Sequence, residues 1–200
     1  MDQVMNVKVN FVGSQGTGKT TLLEAARKDE DFKEFKFHTE IVRDLVKTQG
    51  LSINESGNVK SQKIFFNTYY KQSQETNYIS DRCVLDVCAY TESLFRKKLI
   101  RYLKEDNPKE PYKYFRELLR EKSLLNVLFE NRNALGKIIY FPIEFDLVDD
   151  GVRSLDPTFQ KEIDTNIQDL LKEYDLTFYT IRGSVEQRLK QLKEIIFSYV

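Results

Sequence analysis

The spacing of hydrophobic and polar positions changes several times along the 200 residues of the chain. Alternating or briefly continuous apolar runs, rich in β-branched and aromatic residues, predict short strands. They lie at about residues 6–12, 35–39, 77–80, 136–142 and 176–181. Apolar residues at helical spacing fill the segments between them, at about residues 21–27, 41–46, 59–75, 83–91, 112–133, 159–174 and 185–198. This alternation predicts an α/β fold with a mostly parallel five-stranded sheet and helices on both faces.

Two polar stretches interrupt the pattern. Residues 50–58 predict a loop before the third helix, and residues 105–111, which include two prolines, predict a loop between two helices rather than a domain boundary. A chain of this length is large enough for one hydrophobic core. We therefore predict a single domain over residues 1–200.

The segment between the first predicted strand and the first predicted helix has the chemistry of a phosphate-binding loop. Gly13, Gly18, Lys19 and Thr20 match the pattern G-x-x-x-x-G-K-[ST], and Gly16 is an additional glycine. Glycines let several backbone N–H groups converge on one anion, while lysine adds a positive charge and the threonine hydroxyl suits Mg²⁺. The pattern predicts that ATP or GTP binds here with Mg²⁺. The residues expected to contact the nucleotide are Gly13, Ser14, Gln15, Gly16, Thr17, Gly18, Lys19, Thr20 and Thr21.

Three charged residues directly follow other predicted strands. Glu40 follows the second strand, and Asp81 and Arg82 follow the third. Ligands of an open α/β sheet bind beyond the carboxyl ends of its strands, so these side chains are expected beside the phosphates. At this position Glu40 suits a role in catalysis, as a proton acceptor or a ligand of Mg²⁺. It equally suits a structural role, in which its negative charge stabilises the N-terminus of the next helix, and the sequence leaves both interpretations open. Asp81 suits Mg²⁺ and Arg82 suits an anionic substrate, with a helix-start salt bridge as the alternative.

Composition argues against several other classes of protein. Lys plus Arg and Asp plus Glu number 31 each, so no net charge attracts nucleic acid or an anionic membrane. No apolar run approaches the ~20 residues of a membrane span, and the N-terminus lacks the pattern of a secretory signal. Two cysteines and one histidine fall short of a disulfide framework or a structural zinc site. We expect a cytoplasmic protein with no membrane partner; nucleic acid is disfavoured but stays open.

One further motif carries a family resemblance. The pattern D-R-x-x-L-x-x-x-A-Y, which runs from Asp81 to Tyr90, resembles the D-R-x-x-x-S-x-x-A-Y signature of thymidylate kinases. It is also similar to the corresponding segment of nicotinamide-riboside-kinase-like P-loop proteins, many of them described only as AAA-type ATPases. The resemblance covers most of the chain. It implies the three-layer fold of P-loop NTPases.

The same resemblance implies roles for residues outside the motif. A LID segment is expected at about residues 143–158, from which Arg153 would approach the phosphates. Arg182 and Gly183 fall where the adenine-binding loop of these kinases lies. The segment from His38 to Ile41 falls where thymidylate kinases carry Thr-Arg-Glu-Pro.

Three departures from the thymidylate-kinase pattern concern the acceptor. Asp86 stands where thymidylate kinases have a serine, and Thr39 stands where they have an arginine. Tyr69 stands near the position at which they carry an arginine that contacts the base. They weaken the case for a nucleoside monophosphate acceptor, and a neutral hydroxyl of a nucleoside or a related riboside becomes comparably probable. With such an acceptor, Glu40 resembles a general base. A relative that phosphorylates hydroxymethylated bases in DNA is a further alternative.

These residues together predict an ATP-dependent kinase with Mg²⁺ as cofactor and a small-molecule acceptor. The catalytic set predicted is Lys19, Glu40, Asp81, Arg82 and Arg153, and Thr20 with Asp81 is expected to hold the metal. The alternatives are a P-loop ATPase or switch that acts on a macromolecular partner, and a nucleotide-binding module without turnover. The oligomeric state stays open, and a homodimer is compatible with the sequence.

Overall fold

Five short strands form one fully parallel sheet within the residues that the computed structural model describes, which are 7–105, 109–131, 133–149 and 154–197. The strands are β1 (Lys8–Val12), β2 (Lys36–His38), β3 (Tyr78–Ser80), β4 (Lys137–Tyr140) and β5 (Phe178–Thr180). Their order is β2-β3-β1-β4-β5, so the phosphate-binding loop leaves the central strand. The register places Val9 opposite Ile79 of β3, and Asn10 opposite Ile138 of β4. The predicted parallel five-stranded sheet is confirmed.

Seven α-helices connect the strands in the described residues. They are α1 (Lys19–Arg27), α2 (Ile41–Gln49), α3 (Val59–Gln72), α4 (Val84–Glu105), α5 (Lys109–Phe129), α6 (Pro157–Glu173) and α7 (Val185–Phe197). A short 3₁₀ turn, Asn54–Ser56, interrupts the loop between α2 and α3. Parallel strands need such crossover connections, and this is why helices cover the sheet.

The side chains of the central strand divide the core into two layers. Val9 and Phe11 belong to an apolar cluster with residues of α1 and α7, whereas Val12 belongs to a cluster with residues of α3, α4, α5 and α6. This division follows from the period-two alternation of side chains along a strand. The buried amide of Asn10 is accommodated because it donates to the Leu135 carbonyl at 2.7 Å and to the Tyr78 hydroxyl at 3.1 Å. The three-layer arrangement is thus confirmed.

The structure corrects the predicted boundaries at one place in particular. Helix α4 continues to Glu105 and α5 begins at Lys109, so Pro111 lies inside the first turn of α5 rather than in a loop. Proline is tolerated there because the first N–H groups of a helix have no partner within it. Helix α5 also ends at Phe129, four residues before the predicted end at residue 133.

No helix among the described residues is both long enough and apolar enough to cross a bilayer.

Candidate active site

The loop between β1 and α1 has the tight backbone that its glycines predict. Gly18 lies in the left-handed region with φ of 86° and caps α1. A Cβ at Gly18 would come within 2.8 Å of the Arg188 guanidinium, and one at Gly13 within 2.6 Å of the Phe141 carbonyl oxygen. Side chains at these two positions would push the loop away from its neighbours. The close approach therefore requires glycine at both.

The Lys19 ammonium lies folded over this loop. Its Nζ donates to the Gly13 and Ser14 carbonyls at 2.6 Å each and contacts the Thr17 hydroxyl at 3.1 Å. Lys19 is buried, as are Ser14 and Thr17. The positive charge is therefore held against the loop by two of its carbonyl oxygens and one hydroxyl, beside the N-terminus of α1.

Asp81 joins the loop to the two neighbouring strands. Its Oδ2 accepts hydrogen bonds from the Thr20 hydroxyl at 3.0 Å and from the Thr39 hydroxyl at 3.1 Å, and its backbone N–H donates to the His38 carbonyl at 3.1 Å. The carboxylate is buried although it follows the end of β3. The sequence argument that Thr20 and Asp81 lie together is consistent with this contact.

Glu40 has an unusual backbone conformation at the start of α2. Its φ of 58° places a non-glycine residue in the left-handed region, which costs about 1–3 kcal/mol and is found most often at functional sites. The Glu40 carboxylate accepts a charge-assisted hydrogen bond from the Arg43 Nε at 3.0 Å. Both side chains are about one-third exposed, at 32% and 31%. Glu40 and Arg43, both at the start of α2, line a cavity.

Asp86, which stands in place of a serine of the thymidylate-kinase pattern, lies buried in the first turn of α4. The carboxylate is 1% exposed. Its Oδ2 accepts the Cys83 N–H at 2.9 Å, which is the reciprocal half of a capping box for α4, and its Oδ1 lies 3.4 Å from the Gly13 N. The Arg82 guanidinium lies 3.9 Å from the same oxygen. Burial raises the pKa of Asp86, while the charges of Arg82 and Lys19 act in the opposite direction.

The Arg82 guanidinium lies near the Asp86 carboxylate and the ring of Tyr90. Burial acts to lower its pKa, but the neighbouring Tyr90 and Asp86 outweigh burial and raise that pKa, so the guanidinium stays charged. The guanidinium carbon also lies 5.6 Å from the centre of the Tyr90 ring. The Tyr90 hydroxyl in turn donates to the Gln15 Oε1 at 2.9 Å, which links the D-R-x-x-L-x-x-x-A-Y segment to the phosphate-binding loop.

Two cavities meet at these residues. The first, which we call the donor cavity, is lined by the loop from Gln15 to Leu22, by residues 145–148 and by the start of α7. The second, the acceptor cavity, is lined by the start of α2, by Ile53 and Asn54 where the 3₁₀ turn begins, by one face of α3 and by the start of α4. Gln15, Thr20 and Arg82 line both. The loop and the charged residues that follow β2 and β3 therefore face one junction.

The predicted site residues fall into three groups by position. Glu40, Asp81 and Arg82 line the acceptor cavity, and the loop from Gln15 to Thr21, with Gly183, lines the donor cavity. The Arg182 guanidinium is 61% exposed and pairs with Glu144 at 3.3 Å, so its adenine-binding role stays a prediction. Arg153 lies outside the described residues, and its role also stays a prediction.

Sequence reasoning missed Arg188. Its guanidinium donates to the Thr17 carbonyl at 2.7 Å and to the Glu144 carboxylate at 2.6 Å, and it is 2% exposed. Its guanidinium carbon lies 4.9 Å from the Phe145 ring centre and 5.4 Å from that of Phe141. Burial acts to raise the pKa of Glu144, but the hydrogen bonds from Arg188, the Gly183 N–H and Arg182, with the charge of Arg188, together outweigh burial and lower that pKa. No local motif marks Arg188, because its partner in the loop lies 171 residues earlier.

Known structures share this arrangement of strands and helices. Deoxyadenosine kinase from M. mycoides with bound dCTP is 18% identical, with a TM-score of 0.56, and the match covers 96% of this chain and 100% of that chain. The same enzyme with the products dCMP and a flexible dCDP is 14% identical, with the same score and coverage. The fold is thus that of a P-loop nucleoside kinase. No curated protein matches the sequence.

A protein-family model accounts for most of the chain. It is described as an AAA domain, and it matches residues 8–188. The match begins at β1 and extends to Arg188 in α7, so it contains both cavities. The expected AAA-type domain is confirmed, because the chain belongs to the AAA domain family, and its fold is shared with a nucleoside kinase.

Proposed function

We propose that this chain transfers the γ-phosphate of ATP to a small-molecule acceptor, which is a nucleoside, a nucleotide or a related riboside. The observation that carries the proposal is the junction of two cavities at Gln15, Thr20 and Arg82. One cavity is built around a phosphate-binding loop, and the other contains a carboxylate suited to activate a hydroxyl. A single nucleotide-binding site for a switch would not need the second cavity.

On the donor side, the loop amides and Lys19 bind the phosphates of ATP. The chain also offers a fitting site for Mg²⁺, because the Thr20 hydroxyl and the Asp81 carboxylate are 3.0 Å apart at the junction. Mg²⁺ prefers oxygen ligands and is commonly held by one or two protein groups together with substrate phosphates. When bound, the ion supplies charge that balances the phosphate oxygens. Thr39, which shares the Asp81 oxygen, orients the carboxylate.

On the acceptor side, Glu40 accepts the proton of the acceptor hydroxyl. The acceptor oxygen then forms its bond to the γ-phosphorus as the bond from that phosphorus to the bridging β–γ oxygen breaks, and ADP leaves with the electron pair. Arg82 positions the acceptor and stabilises charge on the transferring group. Phosphoryl transfer depends mainly on positioning and charge stabilisation, which these groups supply. From the family resemblance, Arg153 adds charge from the LID.

The experiment is phosphoryl transfer from ATP labelled at the γ-phosphate to a panel of nucleosides, nucleotides and ribosides. Label that moves to one of these acceptors supports the proposal. Label released only as free phosphate, with or without a macromolecular partner, would replace the kinase proposal with an ATPase. The variant Glu34→Gln, which removes an exposed carboxylate that lines neither cavity, should transfer label as the unsubstituted chain does.

A further inference from the structure

The acceptor cavity has a charge balance that distinguishes two kinds of acceptor. Among the described residues that line it, three carry carboxylates and two carry guanidinium groups: Glu40, Asp81, Asp86, Arg43 and Arg82. Three negative charges against two positive charges leave one surplus negative charge. Protonation of one carboxyl would bring the balance only to zero. Without the Mg²⁺ proposed at Thr20 and Asp81, the side chains of the cavity therefore supply no surplus positive charge for an anionic acceptor.

The two guanidinium groups are already engaged with carboxylates of the same cavity. The Arg43 Nε lies 3.0 Å from the Glu40 carboxylate, and the Arg82 Nη1 lies 3.9 Å from the Asp86 carboxylate. A phosphomonoester carries a charge of about −1.5 to −2 at neutral pH. To enter, it would have to displace these contacts and approach buried carboxylates, which like-charge repulsion opposes.

The donor cavity has a less negative balance. Apart from Arg82, which lines both cavities, its described lining contains Lys19 and Arg188 against the carboxylate of Asp146, and the Glu144 partner of Arg188 brings this balance to zero. On the same count the acceptor cavity has Arg43 against three carboxylates, which leaves two negative charges in surplus. The side chains of the acceptor cavity are therefore less favourable to an anion than those of the donor cavity.

Two residues that line the acceptor cavity each carry a buried polar atom without a hydrogen-bond partner among the described residues. The two atoms are the Tyr69 hydroxyl and the Gln15 Nε2, and the two side chains are 2% and 3% exposed. Burial, with the nearby Asp81 charge, raises the pKa of Tyr69, so its hydroxyl keeps its proton and can donate. A buried donor without a partner costs free energy, which a ligand hydroxyl or carbonyl would recover. These groups suit an uncharged polar acceptor.

We infer that the acceptor is an uncharged nucleoside or riboside hydroxyl, and that Asp86 is the residue that keeps monophosphates out. The inference rests on the proposed kinase function and narrows its acceptor. Asp86 is suited to this role because it neutralises Arg82 at the junction and is held in place by the N–H groups of Cys83 and Gly13. With a neutral residue at this position, the Arg82 charge becomes available to an acceptor phosphate.

The experiment compares matched pairs of acceptors, each a nucleoside or riboside and its own 5′-monophosphate. With the unsubstituted chain we expect kcat/KM for the uncharged member to exceed that for the monophosphate by at least about 100-fold. In Asp86→Asn we expect this ratio to fall by about tenfold or more. A purely structural role would lower both values together and leave the ratio unchanged. Asp169→Asn, an exposed substitution of the same type on α6, is the matched control.

The possible outcomes separate the inference from the function on which it rests. Efficient transfer to monophosphates by the unsubstituted chain would overturn the inference and leave the kinase proposal standing. An unchanged ratio in Asp86→Asn would overturn the role of Asp86. If that variant does not fold, inhibition of nucleoside phosphorylation by each monophosphate decides, since tight competitive inhibition at the acceptor site contradicts the exclusion. Failure to label any acceptor would instead overturn the kinase proposal, and the inference with it.

Discussion

The donor and acceptor cavities meet at shared residues but are built from different parts of the chain. The largest continuous part of the donor cavity is one stretch of chain, from Gln15 to Leu22, which includes Lys19. The acceptor cavity consists of single side chains from α2, α3 and α4. Backbone recognition tolerates change in side chains and is specified by a short local motif. Recognition by scattered side chains allows the bound molecule to change while the donor site is kept.

The comparison predicts its largest effect for Lys19→Ala, on the donor side. The substitution removes the only lysine of the described donor lining and three contacts that hold the loop, at 2.6, 2.6 and 3.1 Å. We expect kcat to fall by roughly 10³-fold or more and ATP binding to weaken strongly, because loss of one preorganised charge-stabilising group commonly costs 10²–10³. Single-turnover kinetics and ATP titration measure both. Lys161→Ala, at an exposed position, is the control; retained transfer in Lys19→Ala would remove this loop from the active site.

Glu40→Gln tests the acceptor side alone. A glutamine keeps the size of the side chain but does not accept the acceptor proton, and general-base catalysis commonly contributes 10²–10⁴. We expect kcat to fall by about that factor while the affinity for ATP changes less than about twofold. Glu34→Gln should leave both unchanged. If the affinity for ATP falls together with kcat, Glu40 also contributes to ATP binding, and its assignment to the acceptor cavity alone is wrong.

Arg188→Lys tests whether α7 supports the donor cavity. A lysine has one charged nitrogen and keeps at most one of the two directed hydrogen bonds, to the Thr17 carbonyl or to the Glu144 carboxylate. We expect KM for ATP to rise about tenfold, with little change in KM for the acceptor, since each lost charge-assisted bond is worth about 1.5–3 kcal/mol. Steady-state kinetics with each substrate varied in turn measures the two values. Arg116→Lys, at an exposed site on α5, provides the control. A rise confined to the acceptor KM would contradict the assignment of Arg188 to the donor side.

The smallest effect concerns stability and arises from the strained backbone of Glu40. Glycine adopts a φ of 58° without steric cost, so Glu40→Gly should relieve strain of about 1 kcal/mol, partly offset by the loss of the partly exposed Arg43 pair. We expect the free energy of unfolding to rise slightly while phosphoryl transfer is lost. Urea denaturation followed by circular dichroism measures the stability. A clear loss of stability would show that the position is not strained.

The sequence predicts the parts of this molecule whose signals are local. The sheet and the phosphate-binding loop follow from alternation, from helical spacing and from glycines in a fixed pattern. The predicted start of α5 was wrong because the sequence does not distinguish a proline in the first turn of a helix, such as Pro111, from a proline in a loop. The lengths of the helices depend on packing that a short window of residues does not contain.

Other features depend on tertiary placement and could not be predicted. The contact between Arg188 and the Thr17 carbonyl forms only because α7 packs beside a loop 171 residues earlier in the chain. Asp86 is an ordinary acid in the first turn of a helix until its burial beside Gly13 and Arg82 is known. The strain at Glu40 is a property of its backbone, and nothing in its identity reveals it.

The thiol of Cys83 gives this architecture a built-in reporter. It is buried beside Asp86, and burial, with the charge of Asp86, raises its pKa well above the usual range, so alkylating reagents will meet a protonated and shielded sulfur. Cys88, about one turn and a half further along the chain, is also buried in the same apolar cluster. Modification of Cys83 before Cys88 would record a local opening at the start of α4 beside Asp86, whereas equal rates would record opening of the whole layer.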